Sequence, residues 1–425
     1  MNRPVKIAII GAGSVYTPEL LDMMGQMRDN INIVEMRLMD INKERLDIMY
    51  GFTSRFLENI DYKLKLIKTV DRIEAITDVD FIITQIRVGG NAARVNDEKI
   101  PLKYGLLGQE TTGAGGFSKA LRTIPAMLDI AKDVAKYNPS SWIINYSNPT
   151  GIVAEAVSKY TNANIVSLCG GGRHPGNMLY RSLGIDHSRV RYDFFGLNHF
   201  NFSYNITIDG RPVTDEEFEK MAETVGGVNK DITMLLGSIP SLYVPYFYNK
   251  KDRFLHTAEA GQTRGEIVQE LEKELFQIYA DPAINTKPPL LAKRGGGDYA
   301  EMALGVLGAI ANNIDTFAVC NVQNNGAIPF LPNQAVIETA CMVNAAGVRP
   351  VTFKSFPDNV WGLICAVKNY ESLTVEAAVH GDKKKALMAL MAHPLIMDYD
   401  IASPMLDELL EVNRQYLPLF FNTDG

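Results

Sequence analysis

The sequence has few cysteines, no long apolar run and no excess of positive charge, and each absence excludes a class of protein. Its four cysteines are widely spaced along 425 residues, which argues against a disulfide framework and fits a reducing cytoplasm. No apolar run is long enough to span a bilayer. The formal net charge of -7 argues against nucleic acid or an anionic membrane surface as a partner. We expect no signal peptide, because the apolar run at 5–10 is too short for one.

A glycine turn follows that first apolar run and leads into a helix. Such a turn, between a buried strand and a helix N-terminus, is a site for a pyrophosphate, because backbone N–H groups and the helix dipole favour an anion. Gly11 permits the tight turn and Gly13 lets the phosphates approach the backbone, with Ser14 beside them. Tyr16 occupies the place of the usual third glycine. These residues predict a dinucleotide site, and Thr17 is expected to cap the helix.

An acidic residue ends the second predicted strand, at 31–39. This residue, Asp40, stands where a dinucleotide fold contacts the adenosine ribose hydroxyls. A carboxylate repels a 2′-phosphate, so the sequence favours NAD over NADP. The alternative is a Rossmann-like fold that binds no nucleotide.

Apolar runs continue to alternate with helical stretches. This alternation predicts an α/β fold with a doubly wound parallel sheet, whose further strands lie at 81–86, 142–146 and 164–169. We expect two domains: a Rossmann-like NAD-binding domain at 1–190 and an α+β substrate domain at 191–425. The second half is expected to contain strands at 191–200 and 202–208 and helices at 263–280, 300–312 and 383–392.

Polar residues follow the predicted strands, at the carboxyl ends where ligands bind in open parallel sheets. A glycine-rich stretch at 103–117 contains Gln109 and Glu110. It fits either a backbone shaped around a ligand or a flexible surface loop. Asn148 precedes a proline, and this pair either presents the asparagine to cofactor or substrate or simply begins a helix.

A cysteine and a histidine stand at two further strand ends. Cys169 ends an apolar strand, and His199 follows Asn198 in another. A thiolate and an imidazole can hold a divalent metal with positions open for substrate oxygens. Residue type alone favours the other interpretation, a buried structural cysteine and a core histidine.

Taken together, these motifs resemble glycoside hydrolase family 4, the NAD- and metal-dependent glycosidases, and within it the 6-phospho-β-glucosidase branch. The resemblance extends over nearly the whole chain. The segments that carry it are Gly11-Ala12-Gly13-Ser14, Arg87 through Arg94, Gly108-Gln109-Glu110-Thr111, Asn148-Pro149, Leu168-Cys169, Gly196-Leu197-Asn198-His199, Lys293-Arg294-Gly295-Gly296 and Asn324-Asn325-Gly326. The resemblance also implies a fold similar to lactate and malate dehydrogenases.

The family is an exception to hydrolysis by two carboxylates. The resemblance implies that NAD+ takes a hydride from C3 of the sugar, which makes the C2 proton acidic. A divalent metal, most often Mn2+, stabilises the enediolate, a tyrosine removes the C2 proton, and the C1 leaving group is eliminated. Water then adds and the hydride returns.

Site roles follow from the resemblance residue by residue. It implies that Cys169 and His199 are the metal ligands and that Tyr243 is the catalytic base. Gly11, Gly13, Ser14, Asp40 and Asn148 are the expected cofactor contacts. Arg94, Asn148 and Arg264 are the expected substrate contacts, with Arg94 the candidate for the 6-phosphate because a guanidinium binds phosphate oxygens in pairs. Arg294 can line the site, and Glu110 can orient water or the metal.

One departure from the family concerns the residue after the ligand cysteine. Asparagine follows it in the phospho-β-glucosidases and aspartate in α-specific relatives, whereas Gly170 follows here. Glycine supplies neither an amide nor a carboxyl group, so Arg173 or His174 either fills that role or belongs to a remodelled loop. The aglycone and the anomeric preference therefore stay open.

Two other functions compete with a glycosidase acting on phosphorylated disaccharides or glucosides. One is a lactate- or malate-type NAD-dependent 2-hydroxyacid dehydrogenase, although the sequence offers no strong histidine–aspartate pair. The other is a non-catalytic protein that binds NAD and a sugar phosphate. The resemblance also implies a homodimer or homotetramer.

Overall fold

A nine-stranded sheet organises the chain, with helices on both faces. The computed structural model describes residues 2–170, 174–224, 228–295, 299–353 and 355–421. The strands are β1 Pro4–Ile10, β2 Asn32–Met39, β3 Lys65–Thr69, β4 Phe81–Thr84, β5 Trp142–Asn145, β6 Asn164–Ser167, β7 Val190–Leu197, β8 Phe200–Ile208, β9 Arg211–Pro212, β10 Ile239–Pro240, β11 Thr316–Gln323, β12 Val336–Asn344 and β13 Gly347–Pro350.

The α-helices alternate with the strands in the first half and dominate the second. They are α1 Thr17–Gln26, α2 Lys43–Asn59, α3 Arg72–Ile76, α4 Gly90–Lys103, α5 Gly113–Tyr137, α6 Thr150–Tyr160, α7 His174–Leu183, α8 Asp215–Thr224, α9 Lys230–Leu236, α10 Pro245–Tyr248, α11 Lys250–Glu259, α12 Arg264–Ala280, α13 Tyr299–Asn312, α14 Trp361–His380, α15 Lys383–Ala392 and α16 Tyr399–Val412. The described helices include none that is long and apolar enough to cross a membrane.

The predicted parallel sheet is confirmed. Its six parallel strands follow the order β6-β5-β4-β1-β2-β3, which is the order of a dinucleotide-binding fold. Ile7 and Ile9 in β1 are fully buried, because helices cover both faces of a parallel sheet. One apolar core contains residues of α1, α2 and α13, and the other contains residues of α5, α6 and α14.

The second half of the chain extends this sheet. Strand β11 joins β6 in antiparallel orientation at Asn321 and Ser167, and β12 and β13 continue outward from it. Strands β7 and β8 form a separate antiparallel hairpin with β9 and β10. The division into domains at 1–190 and 191–425 stays a prediction, since strands of both parts share one sheet.

Candidate functional site

The glycine turn lies between β1 and α1, at the carboxyl edge of the parallel strands. Gly11 adopts a φ of 87°, and its N–H and that of Ala12 both donate to Met39 O at 2.9 Å. The Ser14 hydroxyl accepts from Tyr16 N at 3.2 Å. The predicted helix cap is wrong, because Thr17 is the first helical residue. Its hydroxyl donates to Ala12 O at 3.0 Å and so does not accept from the first turn of the helix.

Asp40 closes this turn from the end of β2. Its Oδ2 accepts from Gly13 N at 2.8 Å and its Oδ1 accepts from Asn42 N at 2.9 Å. A Cβ on Gly13 would lie 2.8 Å from that same Oδ2. Asp40 therefore favours glycine at position 13, and its hydrogen bond to Gly13 N holds the turn that is expected to bind a dinucleotide. The predicted ribose contact of Asp40 stays a prediction.

Cys169 and His199 lie side by side, as the metal interpretation requires. Cys169 follows β6, while His199 sits in the tight turn between β7 and β8 with a φ of 63°. The turn is so tight that a Cβ on Gly196 would lie 2.4 Å from Phe200 O. Sγ of Cys169 and Nε2 of His199 are 3.3 Å apart, and both residues are buried.

The electrostatics of this pair suit metal binding. Burial lowers the pKa of His199 to about 4, so the imidazole is neutral near pH 7 and Nε2 can offer its lone pair. A thiolate and a neutral imidazole fit a divalent transition metal and leave coordination positions open for substrate oxygens. The described residues contain no third His, Cys, Asp or Glu that completes a metal cluster.

Tyr243 stacks directly on His199. The ring centroids are 4.1 Å apart and the planes are inclined by 27°. Burial, followed by the charge of Cys169, raises the pKa of Tyr243 well above its ordinary value. The resting side chain is therefore a phenol, and a divalent cation at the neighbouring thiolate would favour its ionisation. This position agrees with the predicted role of a base beside the metal.

Sequence reasoning missed two tyrosines near Cys169, of which Tyr299 lies next to the sulfur and Tyr146 packs on Tyr299. The Tyr299 hydroxyl lies 3.8 Å from Cys169 Sγ. Tyr146, directly after β5, donates to Tyr299 O at 3.1 Å, and the two rings meet edge to face with centroids 5.5 Å apart. No motif in the sequence pointed to Tyr299, whose place depends on where α13 begins.

A cluster of three cations surrounds one carboxylate near Cys169 and His199. Glu110 lies 2.6 Å from Arg87, 2.8 Å from Lys119 and 3.2 Å from Arg94. Burial opposes its charge, but Arg87, Lys119 and Arg94 hold the pKa of Glu110 well below its usual range. Burial and the charge of Arg87 lower the pKa of Lys119 to about 7. Glu98 also accepts from Arg94 at 2.8 Å, so three cations face two carboxylates, and one positive charge remains for an anion when Lys119 is protonated.

This cluster belongs to the same site as Cys169 and His199. The charges of Glu110 and Lys119 both act on the pKa of His199, and that of Glu110 also acts on Tyr243. Lys119 was missed in the sequence because it follows a glycine-rich stretch that gives no helical pattern. A lysine among the buried positions of α5, between Phe117 and Leu121, was the available signal.

The two other arginines of the expected site have different surroundings. The guanidinium of Arg294 lies 3.9 Å from the ring centroid of Tyr16, and its Nε is buried with no partner in the described part of the chain. Arg264 is exposed and donates to Lys293 O and Arg294 O at 2.8 and 3.0 Å. Arg264 thus supports the segment that carries Arg294.

Asn148 and Glu338 complete the local framework. Asn148 Oδ1 accepts from the Thr150 hydroxyl at 3.0 Å, at the start of α6. Glu338 in β12 accepts from Asn198 at 3.2 Å and from Asn201 at 2.5 Å, on both sides of His199. Burial raises the pKa of Glu338 to about 8. Glu338, absent from the sequence motifs, holds the turn that presents His199.

The loop after Cys169 bears on the missing asparagine or aspartate. Gly170 is described, whereas Arg173 lies outside the described residues. His174 begins α7, but its side chain also lies outside them. The predicted roles of these two residues stay predictions.

Comparisons with known proteins show the family of this chain. Residues 6–178 match the sequence profile described as Family 4 glycosyl hydrolase, and residues 194–396 match the Family 4 glycosyl hydrolase C-terminal domain. A probable 6-phospho-beta-glucosidase of Bacillus subtilis (strain 168) is 38% identical over 99% of this chain and 99% of its own length.

Solved structures are similar over the same extent. The 6-phospho-beta glucosidase of Thermotoga maritima, with manganese, NAD+ and glucose-6-phosphate, has a TM-score of 0.90 at 33% identity over 97% of this chain and 99% of its own. A 6-phospho-alpha-glucosidase from gut microorganisms, with NAD and glucose-6-phosphate, has a TM-score of 0.89 at 30% identity over 98% of this chain and 99% of its own.

A more distant structure bears on the fold alone. The malate dehydrogenase of Plasmodium falciparum has a TM-score of 0.55 at 14% identity over 91% of this chain and 99% of its own. The predicted α/β fold class, with its likeness to lactate and malate dehydrogenases, is confirmed.

Proposed function

Because this chain belongs to the family 4 glycosyl hydrolases, we propose that it hydrolyses 6-phospho-β-glucosides with NAD and the divalent metal Mn2+ as cofactors. Bound NAD+ supplies a hydride acceptor for C3 of the sugar, and the bound metal supplies a Lewis acid at the C2 and C3 oxygens. The residues of this chain would bind the phosphate, hold the metal and transfer the C2 proton.

The observation that carries the proposal is the pairing of two unlike sites. Three cations around Glu110 provide charge for a phosphate dianion, and the thiolate and imidazole of Cys169 and His199 provide a metal site next to it. Lys119 and Glu110 lie close enough to affect the pKa of His199. A sugar whose 6-phosphate lies against Arg94 would extend its C2 and C3 oxygens toward the metal pair.

Tyr243 is the group that would move the C2 proton. Its ring lies against His199 at 4.1 Å, so its hydroxyl belongs to the same wall of the site as the metal ligands. A base beside a metal-bound oxygen needs a pKa near the working pH, and the buried phenol reaches it only when cationic charge is bound nearby. This coupling would keep Tyr243 protonated until the site is complete.

Cofactor binding is assigned to the glycine turn. Gly11, Gly13 and Ser14 form a turn that Asp40 locks from the end of β2. The dinucleotide would lie along the carboxyl edge of the strands, and Asn148, after β5, would stand between it and the sugar. Substrate contact by Asn148 and Arg264 remains part of the proposal.

The β-preference rests on the relatives, because the chain itself departs from both branches at Gly170. The B. subtilis relative named for the β-linked substrate is 38% identical, whereas the structure named for the α-linked one is 30% identical. We place the enzyme in the cytoplasm, where phosphorylated sugars and reduced cysteines occur together; all four cysteines are thiols. A homodimer or homotetramer is the expected assembly, which light scattering after size exclusion would measure.

The experiment is a panel of α- and β-linked 4-nitrophenyl glucosides, with and without a 6-phosphate, assayed with NAD+, Mn2+ and a thiol reductant. We expect cleavage of the 6-phospho-β-glucoside only when NAD+ and Mn2+ are both present. Deuterium at C2 should slow the reaction or exchange with solvent. Cleavage that persists without both cofactors would overturn the proposal, and NADH accumulation with a 2-hydroxy acid would favour a dehydrogenase instead.

A further inference from the structure

The imidazole of His199 directs only one of its nitrogens at the metal site. Nε2 lies 3.3 Å from Cys169 Sγ, so Nδ1 has to carry the proton if Nε2 is to offer its lone pair. Nδ1 is buried and has no hydrogen-bond partner among the residues that the structure describes. A buried N–H without an acceptor is destabilising, so an acceptor is needed on this side of the ring.

A small cavity borders this ring. It measures about 20 Å³, and a polar cavity larger than about 10–15 Å³ holds one water when two to four polar groups surround it. Its polar lining residues are Thr111, Thr112, Asn198, His199, Tyr370, Glu371 and His393. The cavity therefore has room and partners for a single bridging water.

Most of those polar groups already have partners. Thr111 donates to Gln109 Oε1 at 3.0 Å, and Tyr370 donates to Gly113 O at 3.3 Å. Both ring nitrogens of His393 face backbone N–H groups, at 3.1 and 3.3 Å. The two hydroxyls keep acceptor lone pairs, but the hydrogen bond that each donates already fixes its orientation.

Glu371 is different, because one of its carboxyl oxygens can still accept a hydrogen bond. It lies on α14 one turn beyond Lys368, whose Nζ is 2.5 Å from Glu371 Oε2 and 2.8 Å from Glu155. That Oε2 makes no hydrogen bond of acceptable geometry within the described residues. Two carboxylates share one ammonium, which leaves this buried Oε2 able to accept a further hydrogen bond.

We propose that one buried water links the Nδ1–H of His199 to the carboxylate of Glu371, which makes Glu371 the positioning residue for the metal-binding imidazole. Metal-ligating histidines generally pass their second N–H to a carboxylate, carbonyl or water, which fixes the tautomer and the ring. Lys368 and Glu155 hold Glu371 in turn, so the path runs from α6 through α14 to the metal site. The inference rests on the proposed function through the assignment of His199 as a ligand.

The test compares three variants of the full-length enzyme by Mn2+ titration, read by electron paramagnetic resonance with NAD+ and glucose 6-phosphate present. Glu371→Met removes the acceptor and leaves Lys368 paired with Glu155. Glu371→Gln removes the charge but keeps an acceptor oxygen. Ser372→Ala is the matched control, because Ser372 donates to Glu155 at 2.6 Å and belongs to the same network without reaching the cavity.

We expect Glu371→Met to weaken Mn2+ binding by about 10–100-fold, Glu371→Gln to retain most of the affinity, and Ser372→Ala to match the parent. Equal losses in the Met and Gln variants would show that the ion pair with Lys368 matters for structure only, and would overturn the proposal. Parent-like binding by Glu371→Met would overturn it as well.

Two further arms keep the result decisive. His199→Ala should abolish Mn2+ binding; if it does not, the metal assignment in the proposed function fails, and the role of Glu371 fails with it. If Glu371→Met does not fold, the ¹⁵N spectrum of the parent's histidines still offers a refutation, because the proposal requires the Nδ1–H tautomer at His199. The Nε2–H tautomer would refute it.

Discussion

Replacing Arg94 with methionine should separate recognition of the 6-phosphate from recognition of the rest of the substrate. Arg94 is buried, lies 2.8 Å from Glu98 and 3.2 Å from Glu110, and is the arginine expected to meet the phosphate. Unit charges 4 Å apart interact by about 4 kcal/mol at an effective dielectric constant of about 20. Removing one member of a buried charge pair costs about 2–5 kcal/mol.

The assay is a double-mutant cycle in which one change is in the protein and the other is in the substrate. kcat/KM is measured for 4-nitrophenyl β-glucoside with and without the 6-phosphate, for the parent and for Arg94→Met. A coupling of about 2–4 kcal/mol corresponds to a loss of about 30–1000-fold in the preference for the phosphorylated substrate. The unphosphorylated substrate should be affected far less.

The comparison variant is Arg264→Met, because Arg264 is the other arginine proposed to contact the substrate. The guanidinium of Arg264 is exposed and is bonded to two backbone carbonyls, so these contacts predict a coupling within about 0.5 kcal/mol, a factor of about two. A coupling as large as that of Arg94 would instead establish Arg264 as a phosphate contact.

Equal slowing of both substrates by Arg94→Met would refute the reasoning. It would mean that the guanidinium serves to hold Glu98, whose other oxygen accepts from Gly265 N at 2.6 Å, rather than to bind phosphate. Circular dichroism of the variant separates this outcome from loss of the fold.

Tyr243→Phe should lower kcat by about 10²–10⁴-fold and abolish deuterium exchange at C2, while the dissociation constant for NAD+ measured by calorimetry stays near the parent value. Since Lys119 has a pKa of about 7 and is charged below it, KM for the phosphorylated substrate should rise above pH 7 by at most about tenfold per unit; Lys119→Arg should flatten that profile. Mn2+ binding followed by paramagnetic resonance should weaken as the pH falls, because Cys169 must lose its proton to bind the metal and His199 must stay neutral. Gly13→Ala should weaken NAD+ binding and lower Tm, because the new methyl group would meet Asp40 Oδ2 at 2.8 Å; parent-like values would show that Asp40 can move without cost.

Local pattern was enough to predict most of the fold. Short stretches of sequence are sufficient to predict the apolar strand β1, the acidic residue after β2 and the alternation of strands with helices. The helices expected at 263–280, 300–312 and 383–392 are present as α12 Arg264–Ala280, α13 Tyr299–Asn312 and α15 Lys383–Ala392. Predicted strand ends were one to two residues too long at β4, β5 and β6, because apolar residues continue past the last paired residue.

The family membership was predicted correctly from its motifs, but the surroundings of the site could not be. Cys169 and His199 are 30 residues apart in sequence, and residue type alone favoured a structural role for both. Only packing of the β7–β8 turn against the end of β6 brings sulfur and nitrogen together. Glu338 and Glu371 come from still more distant elements, and nothing in their own segments distinguishes them from ordinary acidic residues.

The glycine turn is the instructive case among the site residues. The sequence correctly predicts a tight turn at Gly11, but it gives Gly13 a reason that concerns the ligand. The structure adds a reason that concerns the protein, since Asp40 fills the space that a side chain would need. A pattern of glycines therefore indicates close approach without identifying which group approaches.

The continuous sheet has a consequence for how the chain can be divided. Strand β6 is the last parallel strand of the first half, and β11, more than a hundred residues later, covers its outer edge. A fragment ending at residue 190 would leave that edge unpaired, and an exposed edge of buried-type sequence invites pairing with other copies. The predicted domain boundary at residue 190 is thus a poor place to divide the chain. Producing the first half as a separate protein would require a new strand to cover the edge of β6.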